Sequence, residues 1–272
     1  MKSWVKAWLG AGVGCLVCGA ILTGIGVASD GGKYVKAADL NKMDGAAKKG
    51  DNEVLLEKTK LDDFDSVDIS MTDMNLQVVP SDDRSCYISY QASDQTKDPM
   101  SYQVKDGKLT IQENDNTGKF YYHVDIGFLS GLLGGGPVTT DENVVTLYIP
   151  EEQEWKMADI KTDMSNIMLN GCKIENGTVQ SNSGDIYFKN CDFDNLKIDS
   201  DMGDIHFVGT EDVMGAWNIQ IDTDMGDIDV DDALGGKVKE DEDDCDLSYT
   251  QKGKGGNLVI QTDSGDVSLD CR

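Results

Sequence analysis

Only two histidines, His123 and His206, occur in the 272 residues, and neither sits in a motif that chemistry needs. There is no His-Glu-x-x-His pair for zinc, no Gly-x-Ser-x-Gly elbow and no phosphate-cradling loop ending in Gly-Lys-[Ser/Thr]. A catalytic histidine also needs an acid or base partner. His206 instead alternates with Ile205 and Phe207, which predicts an outward position on a strand. Long amphipathic helical periodicity is missing after the first 30 residues. Basic residues are few as well, 24 Lys and Arg against 50 Asp and Glu. A surface this acidic repels nucleic-acid phosphates and anionic headgroups, which excludes nucleic acid as a partner. It accepts cations, basic peptides and cationic polymers. The charge also keeps an exposed protein soluble.

The acid is distributed unevenly. From Trp8 to Ala28 there is no charged residue, close to the ~20 apolar residues that cross a bilayer as a helix. Lys2 and Lys6 precede this run and every acidic residue follows it. The positive-inside rule then places residues 1–7 in the cytoplasm, 8–28 in the membrane and the rest outside the cell. Gly26-Val27-Ala28 also suits cleavage, but the run is long for a signal peptide, so an uncleaved single-pass anchor is expected. Cys15 and Cys18 lie within the run. The remaining five cysteines, Cys86, Cys172, Cys191, Cys245 and Cys271, are an odd number and too few for a disulfide scaffold.

Residues 29–58 are polar and read as a stalk, and 59–272 as an extracytoplasmic β-domain. Val67–Ser70, Leu76–Val79 and Tyr87–Tyr90 alternate with period two. Asp106-Gly107 is a turn signal before Lys108–Ile111, and Val144–Ile149 is a strand stopped by Pro150.

The second half repeats itself. Ser181-Asn182-Ser183-Gly184-Asp185-Ile186 recurs at Ser200–Ile205, Thr223–Ile228 and Thr262–Val267, with a degenerate copy at Thr162–Ile167. Thr72–Leu76 reads as a shortened one. Successive copies are 19, 19, 23 and 39 residues apart, and the last gap holds an acidic insertion over 235–256. In each copy a short strand ends, Gly184, Gly203, Gly226 or Gly265 supplies a turn, and Asp185, Asp204, Asp227 or Asp266 can bond nearby amides. The next strand points Ile186 and Phe188, Ile205 and Phe207, Ile228 and Val230, or Val267 and Leu269 inward. One coil cannot bury its apolar face alone, so the coils must stack. The expectation is an all-β fold, a right- or left-handed β-solenoid or rolled β-sandwich of coils of about 20 residues, behind the N-terminal helix. Cys172 and Cys191 are one repeat apart. In register they would lie ~4.8 Å apart, as a disulfide or as a ladder of thiols.

Three features carry function candidates. Asp201 with Asp204, Asp224 with Asp227, and Asp263 with Asp266 form a column of turn carboxylates, the oxygen donors calcium prefers. Turn capping explains the same residues without a metal, so the expected cofactor is none, with calcium the alternative. Phe128, Leu129, Leu132 and Leu133 stand in an apolar, glycine-rich interruption between strands, either a hairpin loop or a tip for membrane or partner contact. The insertion around Lys239–Asp246 reads as a solvated loop or a cationic-ligand site.

At the repeated unit the chain resembles a family of bacterial adhesin-like surface proteins of unknown function, among them LiaG- and LiaX-like proteins associated with envelope stress. Members share [Ser/Thr]-x-[Ser/Thr]-Gly-[Asp/Asn]-[Ile/Val] at spacings near 20 residues. Here it stands at Ser181–Ile186 and Thr262–Val267, with Met202 and Met225 in place of the small hydroxyl in the middle copies. Phe64–Ile69, Asp106–Ile111 and Ile149-Pro150 match too, so the likeness spans about residues 59–272. It implies the fold and leaves activity open. The resulting expectation is a non-enzymatic, membrane-anchored binding module for adhesion, envelope-stress sensing or scaffolding. Its candidate partners are a cell-wall polymer, a cationic peptide or a membrane protein. The alternatives are a calcium-dependent carbohydrate-binding or carbohydrate-active protein, and a purely structural ectodomain.

Overall fold

Alternation with period two, with a glycine at the corner of four coils, folds this chain into coils. The computed structural model describes residues 52–93, 99–114, 143–151, 153–240 and 246–272. The apolar run 8–28, the segment 1–7 and most of 29–58 lie outside the described residues, among which no helix is long and apolar enough to cross a membrane. Residues 51–272 form one unit.

In chain order the strands are β1 (Asn52–Lys60), β2 (Ser66–Met71), β3 (Asn75–Pro80), β4 (Tyr87–Ser93), β5 (Met100–Lys105), β6 (Lys108–Glu113) and β7 (Val144–Ile149). Then come β8 (Glu154–Trp155), β9 (Met157–Thr162), β10 (Ile167–Asn170), β11 (Lys173–Ser181), β12 (Ile186–Lys189), β13 (Asp192–Met202) and β14 (Ile205–Gly209). After the one-turn helix α1 (Glu211–Met214) follow β15 (Asn218–Met225), β16 (Ile228–Val230), β17 (Lys237–Glu240), β18 (Leu247–Gln251), β19 (Asn257–Ser264) and β20 (Val267–Cys271). β1 begins inside the segment read as a stalk, and Asn52–Lys60 pairs with β4.

The strands form two sheets. One runs β1-β4-β7-β3-β10-β12-β14-β20-β16, the other β17-β18-β15-β19-β13-β11-β9-β2-β6-β5. Each coil gives its first strand to the second sheet and its next strand to the first: β2/β3, β9/β10, β11/β12, β13/β14, β15/β16 and β19/β20. Neighbouring coils pair in parallel and in register, Val179 opposite Ile198 and Ile186 opposite Ile205. β6 and β7 make a further coil, and the residues between them, 115–142, lie outside the described residues.

The register sets inward columns. Ile69, Ile160, Val179, Ile198, Ile260 and Ile221 face Leu76, Ile167, Ile186, Ile205, Val267 and Ile228 across the core, all 9 % exposed or less. Burying one such side chain stabilises by ~1.5–3 kcal/mol. Phe188 stacks on Phe207 with ring centroids 4.5 Å apart. At the far corner Phe193 lies 4.1 Å from Trp217.

Three details depart from the sequence reading. The coils do not stack in chain order, because β19/β20 sits between β13/β14 and β15/β16. Thr72–Leu76 is not shortened: Met71 opposes Thr162 and Leu76 opposes Ile167, so Met71 takes the hydroxyl position at full length. Part of the acidic insertion is sheet, since β17 and β18 form an antiparallel hairpin on β15. The Asp106-Gly107 turn is present, both residues at positive φ (51° and 77°).

The corner glycines are required twice over. Gly203 holds φ of 120°, and a Cβ on it would meet the Gly184 carbonyl oxygen at 2.4 Å. Replacing it adds backbone strain and a clash with backbone that cannot move aside. Gly203→Val is expected to destabilise by about 3 kcal/mol or more in urea titration. Asn182→Ala, on an exposed side chain of the same corner row, is expected to change it by under about 1 kcal/mol.

Candidate functional site

The corners line up as a ridge, and most of the predicted site residues lie on it. The turn aspartates form a relay between coils. Asn166 donates its backbone N–H to Asn75 Oδ1 (2.9 Å), and Asp185 donates to Asn166 Oδ1 (2.8 Å). Asp204 donates to Asp185 Oδ1 (3.0 Å), Asp266 to Asp204 Oδ1 (2.9 Å), and Asp227 to Asp266 Oδ1 (2.8 Å). Asp185, Asp204 and Asp266 therefore each accept an amide from the next coil, a structural duty.

The first carboxylate is spare. Asp163, Asn182, Asp201, Asp263 and Asp224 form the adjoining outward row, in that spatial order, and all five are exposed. Asn182 Nδ2 donates to Asp163 Oδ1 at 2.8 Å. No ion pair among the described residues engages Asp163, Asp201, Asp263 or Asp224. Beside them Met164, Met202 and Met225 are exposed by 41 %, 55 % and 67 %. Asp73, on the same ridge, is held above the usual carboxylate range by partial burial and then by the charge of Asp163. Neighbouring carboxylates resist further negative charge.

The two ends of the ridge differ. At one end Glu113 Oε2 accepts the three consecutive backbone N–H groups of Thr72, Asp73 and Met74 (2.6, 2.9 and 3.0 Å). This carboxylate closes the corner of β2/β3 at the point where the chain enters 115–142. Phe128, Leu129, Leu132 and Leu133 belong to that segment and lie outside the described residues. At the other end Asp222, Asp224, Glu240 and Asp246 line a cleft of about 310 Å³, with Lys239 the one basic lining residue among the described residues. Residues 241–245 lie outside the described residues. Among the described residues no set of three or more His, Cys, Asp or Glu side chains is arranged to hold a metal ion.

His206, Cys86, Cys172, Cys191 and Cys271 are placed away from the ridge. His206 is half-buried on the outward side of β14, stacked on Tyr187 at 4.5 Å, with Nδ1 2.6 Å from Ser268 Oγ. Cys172 and Cys191 are free thiols. Contact with the Cys191 sulfur, then burial, pushes the Cys172 thiol well up. Burial, the dominant cause, raises Cys86 to about 11 and Tyr187 to about 12.

Sequence reasoning missed an asparagine ladder on the second sheet. Asn195 Nδ2 donates to Asn176 Oδ1 (3.2 Å), Asn257 to Asn195 (2.9 Å) and Asn218 to Asn257 (3.2 Å). Its signal was present, because these residues recur at the same 19-, 23- and 39-residue gaps as the turns.

Residues 64–272 match the protein family Toastrack DUF4097. Three solved structures are similar over most of their length. A candidate cell adhesion protein from Clostridium sporogenes ATCC 15579 has 12 % identity and a TM-score of 0.48, covering 81 % of this chain and 99 % of that one. A candidate adhesin from Bacteroides fragilis NCTC 9343 has 12 % identity and a TM-score of 0.34 (79 % and 96 %). A candidate lipid-binding protein from Parabacteroides distasonis ATCC 8503 has 12 % identity and a TM-score of 0.26 (81 % and 97 %). No curated protein matches the chain in sequence.

The raised thiol sets a pH dependence. Cys86 ionises at 9.0 when free and at about 11 when folded, so the unfolded state loses its proton first. Its contribution is fully present below pH 9 and is lost as pH rises towards 11. The loss is roughly 1–2 kcal/mol after allowance for partial solvent exposure. Denaturation midpoints should fall over this window, and Cys86→Ser should flatten the fall. An unchanged slope in that variant would assign the effect to other groups, Tyr187 first.

Proposed function

The chain belongs to the Toastrack DUF4097 family, and for a member built this way we propose an adhesin-like binding role without catalysis, exerted on the outer side of a membrane. The observation that carries the reading is the ridge of exposed carboxylates left over once stacking has used the others. Asp201, Asp263 and Asp224 follow one another on adjacent coils, ~4.8 Å apart. Each like-charge pair costs roughly 1 kcal/mol or less in water. A ligand carrying several positive charges at matching spacing relieves all of these repulsions together. The natural ligand class is therefore a cationic peptide or a cationic segment of an envelope polymer or membrane protein. The acidic cleft extends the ridge, and the exposed methionines offer adaptable apolar contact beside the charge.

The apolar run 8–28 supports a single-pass anchor with residues 1–7 inside the cell. The likeness to LiaG- and LiaX-like proteins extends the proposal to sensing cationic envelope-active agents. Among the described residues His206 bonds Ser268 and stacks on Tyr187, neither an acid partner of the kind a catalytic histidine uses, which supports a non-catalytic reading. Calcium has less support, because Asp204 and Asp266 already spend an oxygen on backbone amides. Saturable heat on calorimetric titration with calcium would reinstate it.

Titration of the protein with a cationic amphipathic peptide and with its charge-neutral analogue tests the role. The cationic peptide should bind saturably and lose affinity steeply with salt, while the analogue should not bind. The triple change Asp201→Asn, Asp263→Asn, Asp224→Asn should weaken binding about ten-fold, mainly through the on-rate. Equal affinity for both peptides, or an unaffected triple variant, would remove the ridge from the function. Changing Phe128, Leu129, Leu132 and Leu133 to Ser should weaken membrane or partner association if that segment adds an apolar contact.

A further inference from the structure

The coil β19/β20 is last in sequence but inner in space. β19 pairs with β13 on one side and β15 on the other, and β20 pairs with β14 and β16. All four pairings are parallel. Both neighbours of β19 meet it in the same register. Asn195, Ile198, Ser200 and Met202 oppose Asn257, Ile260, Thr262 and Ser264 from one side, and Asn218, Ile221, Thr223 and Met225 oppose them from the other. If this coil leaves, it vacates a slot one coil wide. Both walls of the slot present unpaired strand edges, inward aliphatic columns and an open asparagine ladder. The walls match any coil of this repeat, and most closely the one that left.

Two further observations single out this coil. In the inward hydroxyl column Thr162 Oγ1 donates to Ser181 Oγ at 3.1 Å, whereas the hydroxyls of Thr262 and Thr223 are buried without a hydrogen-bond partner. Those two threonines face each other across the seam between the inserted coil and β15. The coil is also reached through Lys252-Gly253-Lys254-Gly255-Gly256, three glycines in five residues. That connection is pinned at Ala216–Asn218, where Gly255 N–H donates to Ala216 O and Asn218 N–H donates to Gly256 O, each at 2.7 Å. Once unpinned, a glycine-rich connection can redirect with little steric cost.

We propose that β19/β20 is an exchangeable element, and that its slot accepts the same coil from a second copy of this chain. The donated coil remakes every backbone pairing, the aliphatic columns and the asparagine ladder, so only the course of residues 252–256 need differ. Reciprocal exchange closes a dimer, and one-way exchange links copies into a row. The coil carries Asp263 of the acidic ridge, and a donated copy restores the same carboxylate in the same place, so this inference does not depend on the cationic-ligand reading.

The test uses the full-length protein and a labelled synthetic peptide of residues 257–272 carrying Cys271→Ser. A twin peptide also carries Gly265→Val. In the seated coil a Cβ at 265 would meet the Gly203 carbonyl oxygen at 2.1 Å, and φ there is 145°. The first peptide should enter slowly and saturably, at a rate limited by local opening of the resident coil. The twin should enter at least about ten-fold less, since its corner cannot close. Self-association of the protein should rise with concentration and be suppressed by the first peptide. Failure of the first peptide to enter would overturn the proposal, as would equal entry of both peptides, which would place them on an outer strand edge.

Discussion

The structure depends on how closely two corners can approach. Each repeat turns where one backbone lies against the carbonyl of the next, so near that a single Cβ would stand about 2 Å from oxygen at Gly184, Gly203, Gly226 and Gly265. That approach holds the coils at sheet spacing on both faces at once. Within it, the aspartates after Gly184, Gly203 and Gly265 reach the amide of their counterpart one coil away. Glycine and aspartate thus do separate work: one permits contact, and the other satisfies a backbone donor that the turn leaves open. The aliphatic columns follow from this spacing. Val179, Ile198, Ile260 and Ile221 meet because the corners have already set their register.

Identical corners also make the coils interchangeable. A repeat whose neighbours all present the same register does not specify order by pairing alone. Connections must do so, and here α1 and the β17–β18 hairpin lengthen the two connections around β15/β16. The last coil then occupies the position beside β13/β14 that a simple stack would have assigned to β15/β16. Weak specification of order is the general cost of a uniform repeat. In this protein it falls at a seam with two unpartnered hydroxyls.

Stacking also sorts the charge. Carboxylates that accept amides are fixed in place, and those one residue before the exposed position of the turn are left facing solvent in a row. The sequence contains 50 acidic residues, but the fold decides which become a ridge. Asp68, Asp159 and Asp199 on the second sheet are neutralised locally by Lys108, Lys161 and Lys197. Asp201, Asp263 and Asp224 have no such partners among the described residues, so the field concentrates along one edge that ends at the acidic cleft.

Local chemistry alone made much of this legible. Period-two alternation, the Asp106-Gly107 turn, the strand ending before Pro150 and the inward positions of each coil were determined by side-chain period and by the conformational freedom of glycine. The Asn176–Asn195–Asn218–Asn257 ladder was equally available from spacing. What spacing could not supply was which copy lies beside which. All copies share one register, so nothing local distinguishes β15 from β19 as the neighbour of β13. Only the closed structure, with its connections routed, chose the interleaved order. It also divided the aspartates into those that hold the coils together and those that remain free to meet a partner.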